Sequence, residues 1–325
     1  MNLLSVSGIC KQGEAGFILN DITFSQRRLQ KIAIAGETGS GKTTLLKIIA
    51  GLVQPDTGEI LFENKKVIGP LDNMVPGHPG ICYLSQDFEL PKFLRVEQAL
   101  EYSNTRAVEE ANVLYEVCRI NHLLKRKADQ LSGGERQRIA IARLLISSPR
   151  LLLLDEPFSN LDRLHKNILN SIIQDIGDRL RVSCILISHD PEDILSWAKK
   201  IIVMKDGQIV QQGSPEKIYR QPVNEYVAGL FGKYSVIDPK TELFSKLVQT
   251  RNTRKRLFVR PEQFKIVYKR SGGLSGKVTR VNFFGSYYET EVECTETVIA
   301  VKTETCNFSK GDTVYVSLAK MPTKH

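Results

Sequence analysis

The chain has 325 residues, of which 42% are hydrophobic and 25% charged, the composition of a folded globular protein with room for roughly two domains. The longest uninterrupted apolar run near a motif, Leu151 to Leu154, is far short of the ~20 residues that span a bilayer, and Met1-Asn2-Leu3-Leu4-Ser5 lacks the basic flank and apolar core of a signal peptide. The net charge of +9 is uneven: residues 236–325 hold 16 Lys/Arg against 9 Asp/Glu, the remainder 29 against 27. A basic tail can face phosphates, lipid headgroups or an acidic partner, and the plainer reading is a solvated basic surface. The six cysteines (Cys10, Cys82, Cys118, Cys184, Cys294, Cys306) are scattered, without close C-x-x-C spacing, and read as reduced, mostly buried thiols of a cytoplasmic protein.

In chain order, the first clear element is the apolar strand Lys31-Ile32-Ala33-Ile34-Ala35, which runs into a glycine loop and then a helix from Thr43 to Ala50. Ile81 to Leu84 and Leu151 to Leu154 read as buried strands, and so does Cys184-Ile185-Leu186-Ile187. Residues 94–128 have helical periodicity and no strand signal, which places a small helical insertion there. Ile201 to Met204 and Gln208 to Val210 flank Lys205-Asp206-Gly207, a hairpin signal. Apolar strands alternating with amphipathic helices up to about residue 235 predict a helix-covered sheet. Residues 236–256 read as a connector ending in Arg251, Arg254, Lys255 and Arg256. Short strands follow. In Tyr288-Glu289-Thr290-Glu291-Val292-Glu293-Cys294 the alternation predicts a half-buried strand with its glutamates outward, and Val314, Val316 and Leu318 repeat the period. A small all-β barrel fits this tail.

Gly36-Glu37-Thr38-Gly39-Ser40-Gly41-Lys42-Thr43 has the spacing G-x-x-x-x-G-K-[ST] of a phosphate-binding loop. Its glycines let backbone N–H groups turn inward toward phosphates, and the helix behind it adds a positive end. Lys42 is expected at the β- and γ-phosphates and Thr43 on Mg²⁺. Asp155 closes an apolar strand at its C-terminal end, where it can hold Mg²⁺ through water; Glu156 follows as a candidate base for an attacking water. Gln86 and His189 also stand at strand ends, Gln86 as a possible ligand to Mg²⁺ or orienter of water, His189 as a contact to the γ-phosphate. Leu131-Ser132-Gly133-Gly134-Glu135 opens a helix, with Ser132 chemically suited to the N-cap and two glycines leaving bare N–H groups for a phosphate. The two glycine-bearing stretches serve opposite ends of a nucleotide only if the active form is a dimer.

These residues resemble the ATP-binding subunits of ABC transporters over about residues 1–235. Gly36 through Thr44 resembles the Walker A loop, Gln86 the Q-loop glutamine, and Leu131–Glu135 the signature motif. Leu151–Glu156 resembles the Walker B strand with its catalytic glutamate, Ser159-Asn160-Leu161-Asp162 the D-loop, and His189 the switch histidine. In the tail, Phe258-Val259-Arg260-Pro261-Glu262 and Gly276 to Val281 followed by Phe284-Gly285 resemble the TOBE-type OB barrel of importer ATPases for sugars, polyamines, ferric iron and oxyanions. The family's adenine-stacking aromatic is absent from Cys10-Lys11-Gln12-Gly13-Glu14; Phe17 is either its substitute or the first core residue of a strand.

The resemblance implies an α/β P-loop NTPase fold, a RecA-like sheet with a helical subdomain at about 87–143, filling residues 1–235. A linker at 236–256 and an OB-like barrel at 257–325 follow. It implies a Mg-dependent ATPase at the cytoplasmic face of the membrane, powering solute import as a head-to-tail dimer around two ATP. Gly36, Glu37, Thr38, Gly39, Ser40, Gly41, Lys42, Thr43 and Thr44 bind the nucleotide on one side and Ser132, Gly133, Gly134 and Glu135 on the other. Glu156, His189 and Gln86 carry catalysis, and Thr43, Gln86 and Asp155 the metal. The implied partners are a permease, contacted around Asp87 to Glu97 and the helical insertion, a solute-binding protein and a second copy of the chain. Two other readings remain: a soluble non-transport ATPase of the same family, and a nucleic-acid-binding tail using Phe283, Phe284, Tyr287 and Tyr288, though no nucleic acid is expected.

Overall fold

The computed structural model of the chain describes residues 2–14, 16–86, 90–91, 93–102, 104, 107–240, 256–267, 273–295 and 297–319. They fall into two compact units, Met1–Pro215 and Glu216–His325.

The first unit opens with two long strands, β1 (Asn2–Gly13) and β2 (Gly16–Arg27), followed by β3 (Ile32–Ala35) and α1 (Lys42–Ile49). Then come β4 (Thr57–Phe62), β5 (Lys65–Lys66) and β6 (Ile81–Leu84). The helical stretch holds α2 (Val96–Glu101), α3 (Val108–Val117) and α4 (Gly133–Leu145). It returns to the sheet through β7 (Leu151–Asp155), α5 (Arg163–Asp178), β8 (Ser183–Ile187), α6 (Pro191–Trp197), β9 (Lys200–Lys205) and β10 (Gln208–Gly213).

A six-stranded sheet has the order β10-β9-β3-β8-β7-β6, parallel throughout except for the hairpin strand β10. Every residue of β3, β7 and β8 is buried, which is why these strands read as continuous apolar runs rather than alternating ones. The β9–β10 turn puts Asp206 and Gly207 both at positive φ, as the Asp-Gly step anticipates. A second, antiparallel sheet runs β2-β1-β4-β5 and shares one apolar core with the first, including Leu4, Ile22, Phe62, Leu153 and Ile185. Its long hairpin has no counterpart in the expected elements. Repeated register shifts between β1 and β2 break the period of two that would have announced it.

The second unit contains α7 (Pro215–Arg220) from its second residue on, α8 (Glu225–Leu230), β11 (Ser235–Ile237) and β12 (Leu257–Val259), then β13 (Phe264–Val267), β14 (Leu274–Phe283), β15 (Tyr288–Cys294), β16 (Thr297–Thr303) and β17 (Thr313–Leu318). Five strands form an antiparallel sheet of order β13-β17-β14-β15-β16 over a core of Phe264, Val278, Val292, Ile299 and Val316. Two expectations need correcting. Residues 236 and 237, expected as the start of the connector, belong to β11, which pairs with β12. Glu289 does not face outward: it is 6% exposed and ion-paired with Lys233. Arg251, Arg254 and Lys255 lie outside the described residues, as does Asp87 at the start of the expected permease contact.

The two helices before residue 235 belong to the second unit, and Arg260 is one residue that holds them there. Its guanidinium is 1% exposed and stacks 4.3 Å over the Tyr219 ring. It donates to the carbonyls of Tyr219 (3.2 Å), Ala228 (2.9 Å), Gly232 (2.9 Å) and Lys233 (3.1 Å). One side chain thus satisfies the C-terminal carbonyls of α7 and α8 and the turn after them.

Candidate functional site

The glycine loop leaves the end of β3 and enters α1. At Gly36 (φ 156°) a Cβ would come 2.3 Å from the carbonyl oxygen of Met204, so the tight exit from the strand admits no side chain. At Gly41 (φ 89°), the N-cap, a Cβ would stand 2.6 Å from the Ile18 carbonyl oxygen. No side chain caps α1 and its first turn holds no acidic residue, which leaves its N–H groups to a ligand. Lys42 is buried, and its Nζ bridges the carbonyls of Gly36 (2.9 Å) and Glu37 (2.6 Å). Burial holds its pKa below the ordinary value, against the pull of the Glu156, Asp155 and Glu37 carboxylates. Thr43 is exposed and Thr44 half-buried at the same turn; Glu37, Thr38 and Gly39 form the exposed rim, and Ser40 is buried.

Asp155 ends β7 beside Ile187 of β8, and the Tyr83 hydroxyl donates to its Oδ2 at 2.8 Å. Burial, and that bond to a carboxylate, push the Tyr83 phenol well above its usual range. Glu156 follows with φ 47°, a left-handed conformation that costs an ordinary residue of order 1 kcal/mol or more. Its N–H donates to the Ile187 carbonyl at 3.1 Å, and Ser159 donates through its hydroxyl to the Glu156 carbonyl at 2.8 Å. These bonds turn the carboxylate out of the sheet, where one oxygen lies 3.5 Å from Nδ1 of the exposed His189. Gln86, exposed at the end of β6, lines the same cavity of about 430 Å³ with Glu156, Ser159, His189 and Lys166. The expected site residues at the ends of β6, β7 and β8 therefore meet at one sheet edge.

Ser132 caps α4: its hydroxyl accepts from the Glu135 N–H (3.2 Å), and the Glu135 carboxylate accepts from the Ser132 N–H (2.8 Å). That backbone bond holds Glu135 below the usual carboxylate range, and Arg126 lies 3.7 Å away. The two glycines differ. Gly133 faces open space, whereas a Cβ on Gly134 would fall 2.8 Å from Cδ2 of His165, so packing within the chain already demands that second glycine. Gln137 donates from α4 to the Pro157 carbonyl and ties this helix to the turn after Glu156.

Sequence reasoning missed Tyr83, His165, Lys166 and Asp193. Lys166 Nζ pairs with Asp190 and, at 3.0 Å, with the buried Asp193, which accepts from the Ser188 hydroxyl at 3.1 Å. No spacing rule connects positions so far apart in the chain. Phe17 lies on β2 and is 54% exposed, so it is not a core residue. It adjoins Ile18, whose carbonyl touches the Gly41 position of the phosphate loop. In the tail, Phe284 stacks on Tyr287 (5.2 Å between centroids) and Lys302 covers that tyrosine at 3.8 Å, so these faces already have partners. Of the six cysteines, Cys118, Cys184 and Cys294 are buried, and all six are free thiols. Among the described residues no helix is long and apolar enough to cross a membrane.

Residues 19–159 match the family model described as ABC transporter, and residues 257–321 match the TOBE domain. The spermidine/putrescine import ATP-binding protein PotA of Clostridium acetobutylicum is 32% identical over 315 residues, 91% of this chain and 88% of that protein. The protein of the same name from Mycoplasma capricolum is 33% identical over 318 residues (90% and 88%), and that from Spiroplasma citri 31% over 338 residues (97% and 95%). Among solved structures, the ADP conformation of MJ1267, an ATP-binding cassette of an ABC transporter, superposes with a TM-score of 0.60 at 23% identity, covering 71% of this chain and 98% of that one. The cbiO1 protein of Clostridium perfringens, part of the ABC transporter complex cbiONQ, gives 0.57 at 25% identity, covering 67% and 90%. The chain belongs to the ABC transporter family as an importer-type ATP-binding subunit, an ATP-binding ATPase that powers solute import, with a C-terminal TOBE domain.

Proposed function

We propose that hydrolysis proceeds at the C-terminal edge of the parallel sheet, with Glu156 as the general base. The observation that carries this reading is geometric: Glu156 lies 3.5 Å from His189 in a cavity that Gln86 also lines, next in sequence to an Asp155 held by the Tyr83 hydroxyl. In this reading the loop Gly36–Thr44 holds the phosphates through its N–H groups and Lys42. Glu156 takes the proton of the attacking water, and His189 and Gln86 position that water and the γ-phosphate. A second copy, packed head to tail, presents Ser132, Gly133 and Gly134 to the same nucleotide, while Glu135 keeps the cap of that helix in shape. Phe17, exposed beside the phosphate loop, stacks on the adenine in place of the missing upstream aromatic.

Asp155 and the exposed Thr43 hydroxyl fit Mg²⁺. The ion favours oxygen ligands, needs only one or two from protein, and completes its shell with water and phosphate oxygens. Asp155 is buried and already oriented by Tyr83, so its carboxylate presents a fixed edge. When bound with ATP, Mg²⁺ neutralises charge that develops on the phosphates.

The membrane partner docks at an apolar groove of about 490 Å³ lined by Leu52, Val75, Pro76, Ile81, Tyr83 and Leu144. The groove touches the chain just after α1, the strand β6 that ends before Gln86, and the far end of α4, so an apolar permease helix seated there feels both nucleotide-binding stretches. Val75 in its lining and Met74, next to it in sequence, are largely or fully exposed, an unusual cost for a free surface. In this arrangement the chain is a peripheral subunit on the cytoplasmic face. A solute-binding protein delivers the cargo, and the named relatives make a polyamine the first cargo to test. Steady-state ATPase assays of the chain and of Glu156→Gln test the site: near-normal turnover in the variant overturns it. Uptake of labelled spermidine by the reconstituted transporter tests the cargo.

A further inference from the structure

The first turn of α5 joins three functional segments through two consecutive side chains. Neighbours in a helix point about 100° apart, so they cannot serve the same surface. His165 turns one way. Its Nδ1 lies 2.6 Å from Oδ2 of Asp162, the residue whose other oxygen caps the helix by accepting the His165 N–H at 2.9 Å. Its ring edge fills the place a side chain on Gly134 would take, with Cδ2 2.8 Å and Cγ 3.1 Å from that position. Lys166 turns the other way, to Asp190 and Asp193. Both aspartates follow His189 and are tied back to the residue before it: Asp193 accepts from the Ser188 hydroxyl, and the same hydroxyl oxygen accepts from the Asp190 N–H at 3.1 Å. Asn170, one turn further along α5, adds a contact to Asp193 at 3.5 Å. Burial opposes the charge on Lys166, yet the hydrogen bonds to Asp190 and Asp193 leave its pKa above the ordinary value. The ammonium is therefore held, not merely nearby. The His189 side chain is largely exposed and faces Glu156, while Asp190 after it is tied to α5 directly and Ser188 before it through Asp193.

We propose that His165 and Lys166 are paired positioning residues that link the two nucleotide sites of the dimer. His165 sets the signature turn against the D-loop, and Lys166 sets the switch segment, so both ride on one rigid helical turn. In the head-to-tail arrangement the signature turn grips the nucleotide on the partner's phosphate loop, while His189 attends the nucleotide on its own. A shift of the signature turn on closure is thereby passed to the switch histidine of the opposite site. The inference rests on the dimer reading above.

The test uses the full chain with His165→Ala, Lys166→Met, the double variant, and Lys166→Arg, which keeps the charge. ATP hydrolysis is measured against ATP concentration, alongside binding of a fluorescent ATP analogue to the single subunit. If the two side chains act in series, each single variant loses about tenfold in kcat, and the double variant loses no more than either single one. Nucleotide affinity of the subunit stays within about twofold, the Hill coefficient falls from about two toward one, and Lys166→Arg keeps most of the rate. A double variant whose losses multiply to about a hundredfold, unchanged rates, or a loss of affinity matching the loss of rate each overturn the inference. Glu156→Gln separates the two failures. If that chain forms no ATP-dependent dimer in sedimentation, the dimer reading falls and takes the link with it. If it does dimerise and the His165 and Lys166 variants turn over normally, the link alone is wrong.

Discussion

One carboxylate oxygen of Glu156 lies 3.5 Å from Nδ1 of His189, at the end of two adjacent parallel strands whose register sets Asp155 opposite Ile187. Glu156 and His189 are thus delivered by neighbouring strands rather than by one loop. The positive φ at Glu156 bends the backbone so that consecutive carboxylates diverge, Asp155 into the sheet and Glu156 toward the cavity. Replacing Glu156 by Gln keeps the size and backbone demand of the residue but removes the carboxylate proposed as the base. ATP hydrolysis is expected to fall by about 10² to 10⁴-fold, while ATP binding persists and an ATP-bound dimer accumulates. Turnover by colorimetric phosphate release and dimer mass by sedimentation check both halves.

Lys42 gives the site a pH signature. Burial lowers its pKa in the folded chain below the ordinary 10.5. Between the lowered value and 10.5 the unfolded chain binds more protons than the folded one, so this lysine's contribution to stability rises with pH through that window. Below the window its buried charge is a cost to the folded chain. Triphosphate favours the charged form, so ATP binding must take up a proton wherever the free site has lost it. Affinity is expected to weaken as pH rises through the lowered pKa, with proton uptake visible by calorimetry in buffers of different ionisation enthalpy. Lys42→Met should abolish this pH dependence along with most of the affinity, without lowering the melting temperature of the nucleotide-free chain.

The phosphate loop, the buried strands β3, β7 and β8, and the capped start of α4 were legible because each is a local pattern. A glycine needed at positive φ, a strand apolar on both faces and a Ser-x-x-Glu box all leave their mark within a few residues. What stayed hidden depends on long-range partners. Glu289 reads as an outward residue of an alternating strand until Lys233 closes over it. From sequence, Gly134 has a phosphate as its one reason to be glycine; His165 packed against it supplies a second. The short helices α7 and α8 follow the first sheet in sequence yet belong to the second unit, where a buried arginine thirty to forty residues downstream collects their carbonyls.

The apolar groove predicts a separation of activities. Val75→Asp, or Met74→Asp beside it, puts a charge on a surface whose proposed occupant is an apolar helix. Both residues are exposed in the isolated chain, so folding and basal ATP hydrolysis should be unchanged, with the melting temperature within a degree or two of the parent. Co-purification with the membrane partner and coupled solute uptake should drop by an order of magnitude or more, since an unpaired charge at the centre of an apolar contact costs several kcal/mol. Normal uptake with either aspartate would place the permease elsewhere.

Arg260 predicts how the second unit comes apart. Its guanidinium donates to four backbone carbonyls, lies over Tyr219, and sits beside the Glu262 carboxylate, which accepts from the Tyr219 hydroxyl at 2.9 Å. Removing it leaves several buried carbonyls without donors, each costing about 1–3 kcal/mol, partly relieved by water entering the space. Arg260→Met keeps the apolar stem and is expected to cost about 3–5 kcal/mol, enough to open α7 and α8 before the rest of the chain melts. Arg260→Lys should rescue little, because one ammonium cannot span carbonyls that a planar fork reaches from several sides. Limited proteolysis of the full chain then cuts first between residues 216 and 235, and urea unfolding gains an early transition. The five-stranded sheet, whose core does not include Arg260, should hold its β-sheet circular dichroism through that transition.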